Sequence, residues 1–317
     1  MKSIVIYFSQ TGNTQKVAER IRDGIREVTG NCELAPLKST DPHQLCEYDL
    51  IGLGCPVFDY EEPLNVRRFI NSLRLAGGKH AFVFSTHGCL PEYFFPSVVP
   101  RLQRRGLVVI GMRDWYSKVY LAPMPDPYPT EGHPDLIDLM EAEAFGREMA
   151  EHSARISLGE AALIPSTPIS PLEPPPSPHV EEDDPMLEGL QWGYASMLQF
   201  HRDLCSYPEC RLCMEQCPMD GIDLTADPPV IAKPCIRCTF CAKLCPTGAL
   251  DDRKWVNHVA SIGHELIEKD LLPVLDRAES DGRFRRLLPV DKIGYDTLIC
   301  QTYCKRPQWV IGKGLNR

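Results

Sequence analysis

The sequence predicts an α/β fold: a doubly wound, five-stranded parallel sheet of strand order 2-1-3-4-5, followed by a small cysteine-rich α+β domain. Three observations predict it. Residues 1–158 alternate short apolar runs with amphipathic stretches. Eight of the 14 cysteines fall between Cys205 and Cys245. Between these regions, residues 159–189 hold eight prolines and the acidic run Glu181–Asp184, with little to bury. The expected division is therefore 1–158, a linker at 159–189, the cysteine block at 190–252 and an extension at 253–317.

Five apolar runs read as strands: Ser3–Phe8, Cys32–Leu37, Asp49–Gly54, Ala81–Ser85 and Leu107–Met112. After the first, Val17, Ala18, Ile21, Ile25 and Val28 recur at helical spacing. Further helices are expected at Leu64–Leu73, Phe94–Arg104 and Pro134–Ile156. The linker composition implies an extended chain. A short helix is expected near Met186–Leu204, and another through Val256, Val259, Ile262, Leu266 and Ile267.

A net charge of −9 over 317 residues argues against a nucleic-acid binder. No apolar run approaches the ~18 residues of a membrane span. With no export signal at the N-terminus, the chain reads as soluble and cytoplasmic, and the crowded cysteines point to metal ligation over disulfides.

The first strand runs into Ser9-Gln10-Thr11-Gly12-Asn13-Thr14 and then a helix. Three hydroxyls and a glycine at such a turn suit a phosphate, because the first helical N–H groups point outward and the helix dipole favours negative charge. The lysine of a Walker A loop and the G-x-G-x-x-G fingerprint are both missing. An uncharged loop suits a terminal monophosphate better than a triphosphate. The competing role is a simple helix cap.

The run Val5-Ile6-Tyr7-x-Ser9-x-x-Gly12-x-Thr14, with Ala18 and Ile21, resembles the phosphate-loop signature of the flavodoxin family. The resemblance covers about half the chain. It implies a flavodoxin-like fold with FMN, its phosphate held by Ser9, Gln10, Thr11, Gly12, Asn13 and Thr14. Two later loops would clasp the ring. Gly54-Cys55-Pro56-Val57-Phe58-Asp59-Tyr60 is similar to the loop that stacks on the isoalloxazine, with Pro56, Val57, Phe58, Asp59 and Tyr60 as contacts. Phe58 or Tyr60 supplies the stacking face, and Tyr93 is a weaker candidate. Ser85-Thr86-His87-Gly88-Cys89 is similar to the loop at the ring's polar edge, giving Thr86, His87, Gly88 and Cys89. His87 is assigned no acid–base role, because the sequence shows no partner for it. No catalytic residue is expected.

In the cysteine block, Cys235-x-x-Cys238-x-x-Cys241-x-x-x-Cys245-Pro246 is the run of bacterial two-cluster ferredoxins, whose fourth cysteine serves the other cluster. The other half-motif, Cys210-x-x-Cys213-x-x-x-Cys217-Pro218, has Tyr207 where its first cysteine belongs, and Cys205 lies two residues earlier. Resemblance to dicluster ferredoxins, small α+β domains, implies one [4Fe–4S] cluster on Cys205, Cys210, Cys213 and Cys245. The second would sit on Cys235, Cys238, Cys241 and Cys217. If Cys205 does not reach, the first site keeps three ligands and suits [3Fe–4S]. Two structural zinc sites are the alternative reading of the block. Cys300 and Cys304 read as small buried residues, with a redox role as the alternative.

The parts together predict an electron-transfer protein relaying electrons between two [4Fe–4S] clusters and FMN, as a carrier between redox enzymes of anaerobic metabolism. The alternatives are two. One is a flavin-dependent oxidoreductase acting on a small substrate, quinone or NAD(P), with the loop from Arg113 to His133 as a lid. The other is a redox or iron sensor. Redox partner proteins are expected, without naming donor or acceptor; no nucleic acid or membrane span is.

Overall fold

Five apolar runs become the strands of one parallel sheet. The computed structural model describes residues 1–58, 60–74, 77–89, 91, 93–121, 124–169 and 197–295. Asp59, most of the expected linker, Cys300 and Cys304 lie outside the described residues. The chain divides into two compact units. One is Met1–Lys118 with Gly132–Pro176; the other is Val119–Glu131 with Ser177–Arg317.

In the first unit, β1 (Ser3–Tyr7), β2 (Glu33–Pro36), β3 (Leu50–Pro56), β4 (Lys79–His87) and β5 (Leu107–Tyr116) form a sheet of order β2-β1-β3-β4-β5. Every pairing is parallel. This is the flavodoxin-like topology. The helices are α1 (Asn13–Thr29), α2 (Leu64–Ser72), α3 (Phe94–Arg104) and α4 (Leu136–Ser157). Strand β5 outruns the predicted Met112, because Arg113–Tyr116 find ladder partners from Phe84 to His87 despite their polarity.

One core cluster joins Val5, Phe82 and Phe84 of the sheet to Ile21 and Ile25 of α1 and to Phe145 and Met149 of α4. Val28, expected on the buried face of α1, is instead 42% exposed, since the helix ends one residue later at Thr29, with Gly30 a left-handed C-cap. Helix α1 crosses α4 through glycine. A Cβ at Gly24 would lie 1.9 Å from the Glu143 carbonyl oxygen, and one at Gly146 would lie 2.1 Å from that of Ile21. Helix α4 begins with a capping box, Asp135 accepting from the Ile137 and Asp138 N–H groups. Asp138 in turn accepts from the Asp135 N–H and pairs with His133 at 2.6 Å.

In the second unit, the described end of the expected helix near Met186–Leu204 is helical only at Met197. Gln199–Phe200 is a strand, β6, paired antiparallel with β7 (Leu250–Asp251), and Arg202–Leu204 is a 3-10 turn. Pairing with a distant segment overrides local helical spacing there. Leu198, Ile222, Leu224, Ala232, Ala242 and Leu250 form a small core against which several cysteines pack. The expected tail helix is present as Arg253–Leu266; a π-helical turn, Ile267–Leu271, then leads into the helix Leu272–Ser280. Val119–Glu131 is secured by the Lys243 ammonium on the Tyr120 carbonyl and by the backbone of Gly294, bonded to Asp126 and Pro127. Among the described residues no helix is long and apolar enough to cross a membrane.

Gly24→Ala gains about 1 kcal/mol of helix propensity but drives a methyl into the α4 backbone, a loss of about 1–3 kcal/mol. Denaturant unfolding of the full chain is expected to show net destabilisation, whereas Gly77→Ala, whose Cβ meets nothing closer than 3.9 Å, is expected to be tolerated.

Candidate functional site

Residues 8–14 carry β1 into α1 across the carboxyl end of the sheet, where open α/β folds bind ligands. Gly12, at φ 91°, makes the turn. The Ser9 hydroxyl accepts from the Gly12 N–H at 3.1 Å, which leaves its proton to donate. Helix α1 has no side-chain cap and no acid in its first turn, so the simple-cap role does not apply. Its first N–H groups and its dipole face the loop uncancelled. The Gln10 side-chain N–H2 is buried without a hydrogen-bond partner. Donors without acceptors at an uncapped helix start fit an anionic group.

Thr86 ties the three loops together. Its hydroxyl is 2.8 Å from that of Thr14. Each hydroxyl has one proton, so one of the pair keeps its own for another acceptor. The Thr86 carbonyl accepts from the Val57 N–H at 3.0 Å. Asn13 donates to the Lys118 carbonyl at 3.2 Å, fixing the same loop to the chain beyond β5.

The second loop turns sharply. Phe58 and Glu61 exchange backbone hydrogen bonds of 2.9 and 3.0 Å, with Tyr60 at φ 72°. The Phe58 ring meets Phe8 edge-on at 6.4 Å, and Tyr60 meets Tyr93 edge-on at 6.5 Å. Phe58 and Tyr60 are half-buried and keep an open side, whereas Tyr93 is 8% exposed. Of the three aromatics expected to stack, Phe58 and Tyr60 are the more exposed. Next to this turn the structure buries an ionic group that sequence reasoning missed. Glu62 lies 2.8 Å from Arg67 and 3.2 Å from Arg101, and Glu61 holds Arg67 at 2.8 Å. The charges come from the loop, α2 and α3, so only the fold brings them together.

The third loop starts at a second missed contact. His87 Nε2 lies 2.7 Å from Asp114 Oδ2, and the Tyr116 ring is 4.6 Å from the imidazole. Burial alone would raise the Asp114 carboxyl, but the hydrogen bond and charge of His87, with Arg113, hold it below the usual carboxylate range. A polar residue continuing an apolar strand at its carboxyl end was the available signal for Asp114. The thiol of Cys55 is pushed well up by burial and by Glu62, and burial pushes Cys32 up to about 11. Both are packing residues, inert as nucleophiles.

In the second unit the cysteines line two hollows. Cys205, Cys210, Cys213 and Cys245 border the first. Cys217, Cys235, Cys238 and Cys241 border the second, with Cys213 at its margin. Cys205 thus reaches the first hollow, and Tyr207 packs against the small core, its ring 6.0 Å from the Arg202 guanidinium and 5.8 Å from that of Arg211. Backbone N–H groups of Gly221 and Arg237 donate to the Cys217 and Cys235 sulfurs at 3.3 Å.

Burial, then the charge of neighbouring thiolates, pushes Cys213 up to about 11. Burial drives Cys235 up to about 12 and Cys241 well above its ordinary value. Four ionised sulfurs around one hollow demand a cationic group. A single zinc with Zn–S of about 2.3 Å would hold its sulfurs about 3.8 Å apart. Among the described residues, only His133, Asp135 and Asp138 bring three ligand atoms within 4.8 Å of one another, and these are the α4 cap.

The fold joins a five-stranded parallel sheet of order β2-β1-β3-β4-β5 to a unit that holds the eight-cysteine block. Residues 4–102 match the family model of the flavodoxin domain. The chain is 27% identical over 110 residues to a flavodoxin of Megasphaera elsdenii, spanning 34% of this chain and 80% of that one. An uncharacterised ferredoxin of Methanocaldococcus jannaschii is 41% identical over 49 residues, 15% of this chain and 79% of that protein. A solved flavodoxin from the domain Archaea covers 49% of this chain and 99% of its own, with 23% identity and a TM-score of 0.41. The chain carries a flavodoxin domain at its N-terminus and belongs with the ferredoxins over the short segment of its cysteine block. Both kinships support electron transfer, the first with FMN and the second with iron–sulfur chemistry.

Glu62→Leu leaves the buried Arg67 and Arg101 short of a counter-charge, at a cost of about 3–5 kcal/mol. Denaturant unfolding followed through tryptophan fluorescence is expected to show that loss, with Glu62→Gln intermediate.

Proposed function

We propose that the protein is an electron carrier that exchanges electrons between two [4Fe–4S] clusters and one FMN, and between these and redox partner proteins. The observation that carries the reading is the sorting of eight cysteines around two hollows, in a chain whose other unit offers an uncapped helix start behind the uncharged loop Ser9–Thr14. In this reading residues 1–158 bind FMN, 159–189 link, 190–252 hold the clusters and 253–317 extend them. The Val119–Glu131 segment serves the second unit, and the lid reading of that loop is not favoured.

Ser9, Gln10, Thr11, Gly12, Asn13 and Thr14 hold the phosphate with neutral donors. Pro56, Val57, Phe58, Asp59 and Tyr60 cover one side of the ring, while Thr86, His87, Gly88 and Cys89 meet its polar edge. Cys205, Cys210, Cys213 and Cys245 ligate one cluster, and Cys217, Cys235, Cys238 and Cys241 the other. When bound, FMN takes up one or two electrons and each cluster one, which lets the chain convert between paired and single-electron partners. The protein's part is to bind, orient and tune. Donors to Cys217 and Cys235 offset sulfur charge, and the shared polypeptide keeps both modules at high effective concentration.

Anaerobic purification is expected to yield about eight irons and about eight acid-labile sulfides per chain, with one FMN; zinc without sulfide refutes the reading. Changing Thr11 and Thr14 together to Ala is expected to weaken FMN binding and leave iron unchanged. Cys205→Ala is expected to convert one cluster to a three-iron form, visible by electron paramagnetic resonance, with FMN content intact.

A further inference from the structure

We propose that His87 is a redox-linked proton acceptor: its imidazole takes up a proton when the flavin ring is reduced. This rests on the reading that FMN occupies the loops described above. The sequence offered His87 no partner, but the fold supplies one, and places the pair at the ring-binding end of the sheet. Thr86, where the phosphate loop and the second loop are tied, is the adjacent residue. The His87 carbonyl accepts from the Ser117 N–H at 2.8 Å, so the backbone on both sides is pinned.

The geometry fixes the chemistry of the ring. The His87 side chain is 2% exposed. A lowered Asp114 carboxyl stays ionised and can only accept, so Nε2 carries the proton of the 2.7 Å bond. Nδ1 is buried and has no hydrogen-bond partner, which leaves it as the basic nitrogen. Among the described residues, the titratable and charged groups around the pair are Asp114 and Tyr116 on β5, with Arg113 acting on Asp114. His133 lies beyond the Tyr116 ring, at 6.3 Å from it. Asp114 is 37% exposed and connects the enclosed imidazole to water.

With the ring oxidised, a proton on Nδ1 would bury an unbonded donor, which is unfavourable. Two-electron reduction near neutral pH adds one proton to the ring and leaves it with one negative charge. In a poorly polarisable interior that charge attracts an imidazolium strongly. The step balances as two electrons from the reductant and two protons from water, one going to the ring and one to His87. Asp114 remains a carboxylate throughout. Without His87 the same two electrons bring one proton.

The test is anaerobic dithionite reduction of the full-length, FMN-loaded protein, with the midpoint potential read from flavin absorbance between about pH 5.5 and 8.5, where imidazole titrates. Wild type is expected to show an interval in which the slope of potential against pH is twice that of His87→Gln. Asp114→Asn, which removes the anion from Nε2, is expected to move that interval to lower pH. Equal slopes in wild type and His87→Gln, with FMN bound and reducible in both, overturn the proposal. If His87→Gln loses FMN, nitrogen-15 NMR of the wild-type His87 ring decides. A higher titration midpoint in the reduced protein supports the proposal, and the same midpoint in both states overturns it. A wild-type chain that takes up iron but no FMN overturns the underlying reading and this proposal with it.

Discussion

Buried sulfur carries charge only beside positive charge, and that constraint organises the second unit. Burial and mutual repulsion push Cys213 up to about 11, Cys235 up to about 12 and Cys241 well above its ordinary value. A core as small as Leu198, Ile222, Leu224, Ala232, Ala242 and Leu250 supplies limited apolar stabilisation on its own, since small domains bury too little surface. Ligation of a cationic group removes the repulsion and adds cross-links between distant segments. The short pairing of β6 with β7 and the brief helices around the cysteines make sense as a frame for those cross-links.

The first unit answers a different constraint. Its ligand must be held by donors that have no better use. The sheet order opens a gap at the carboxyl ends of β1 and β3, and the loops there are tied to one another. Thr86 contributes a hydroxyl to Thr14 and a carbonyl to Val57. The buried ions Glu62, Arg67 and Arg101 brace the second loop from α2 and α3. Preorganisation of this kind lowers the entropy lost on binding.

The two units also differ in how they set electrical behaviour. In the cysteine unit the nearby levers are N–H donors to sulfur and guanidinium groups, such as Arg202 and Arg211 beside Tyr207. In the sheet unit the lever is a histidine–carboxylate pair with a solvent-facing end. Fixed partial charges shift a potential without protons, whereas a titratable pair ties it to pH.

What the amino-acid sequence determined by itself was whatever depends on local pattern. Short apolar runs marked all five strands and helical spacing marked the first helix of the sheet, because a strand covered on both faces is apolar throughout and a helix buries one face. The Ser9–Thr14 turn and the spacing of the eight cysteines were legible because their chemistry is concentrated in short runs. Tertiary structure alone decided the contacts between residues far apart in the chain. Asp114 reaches His87 across a β4–β5 register, and Glu62 meets Arg101 only because α3 packs over the loop. The strand at Gln199–Phe200, read as helix, needed Leu250–Asp251 to exist. Long-range pairing energy is absent from any local window, so no local reading of the sequence exposes it.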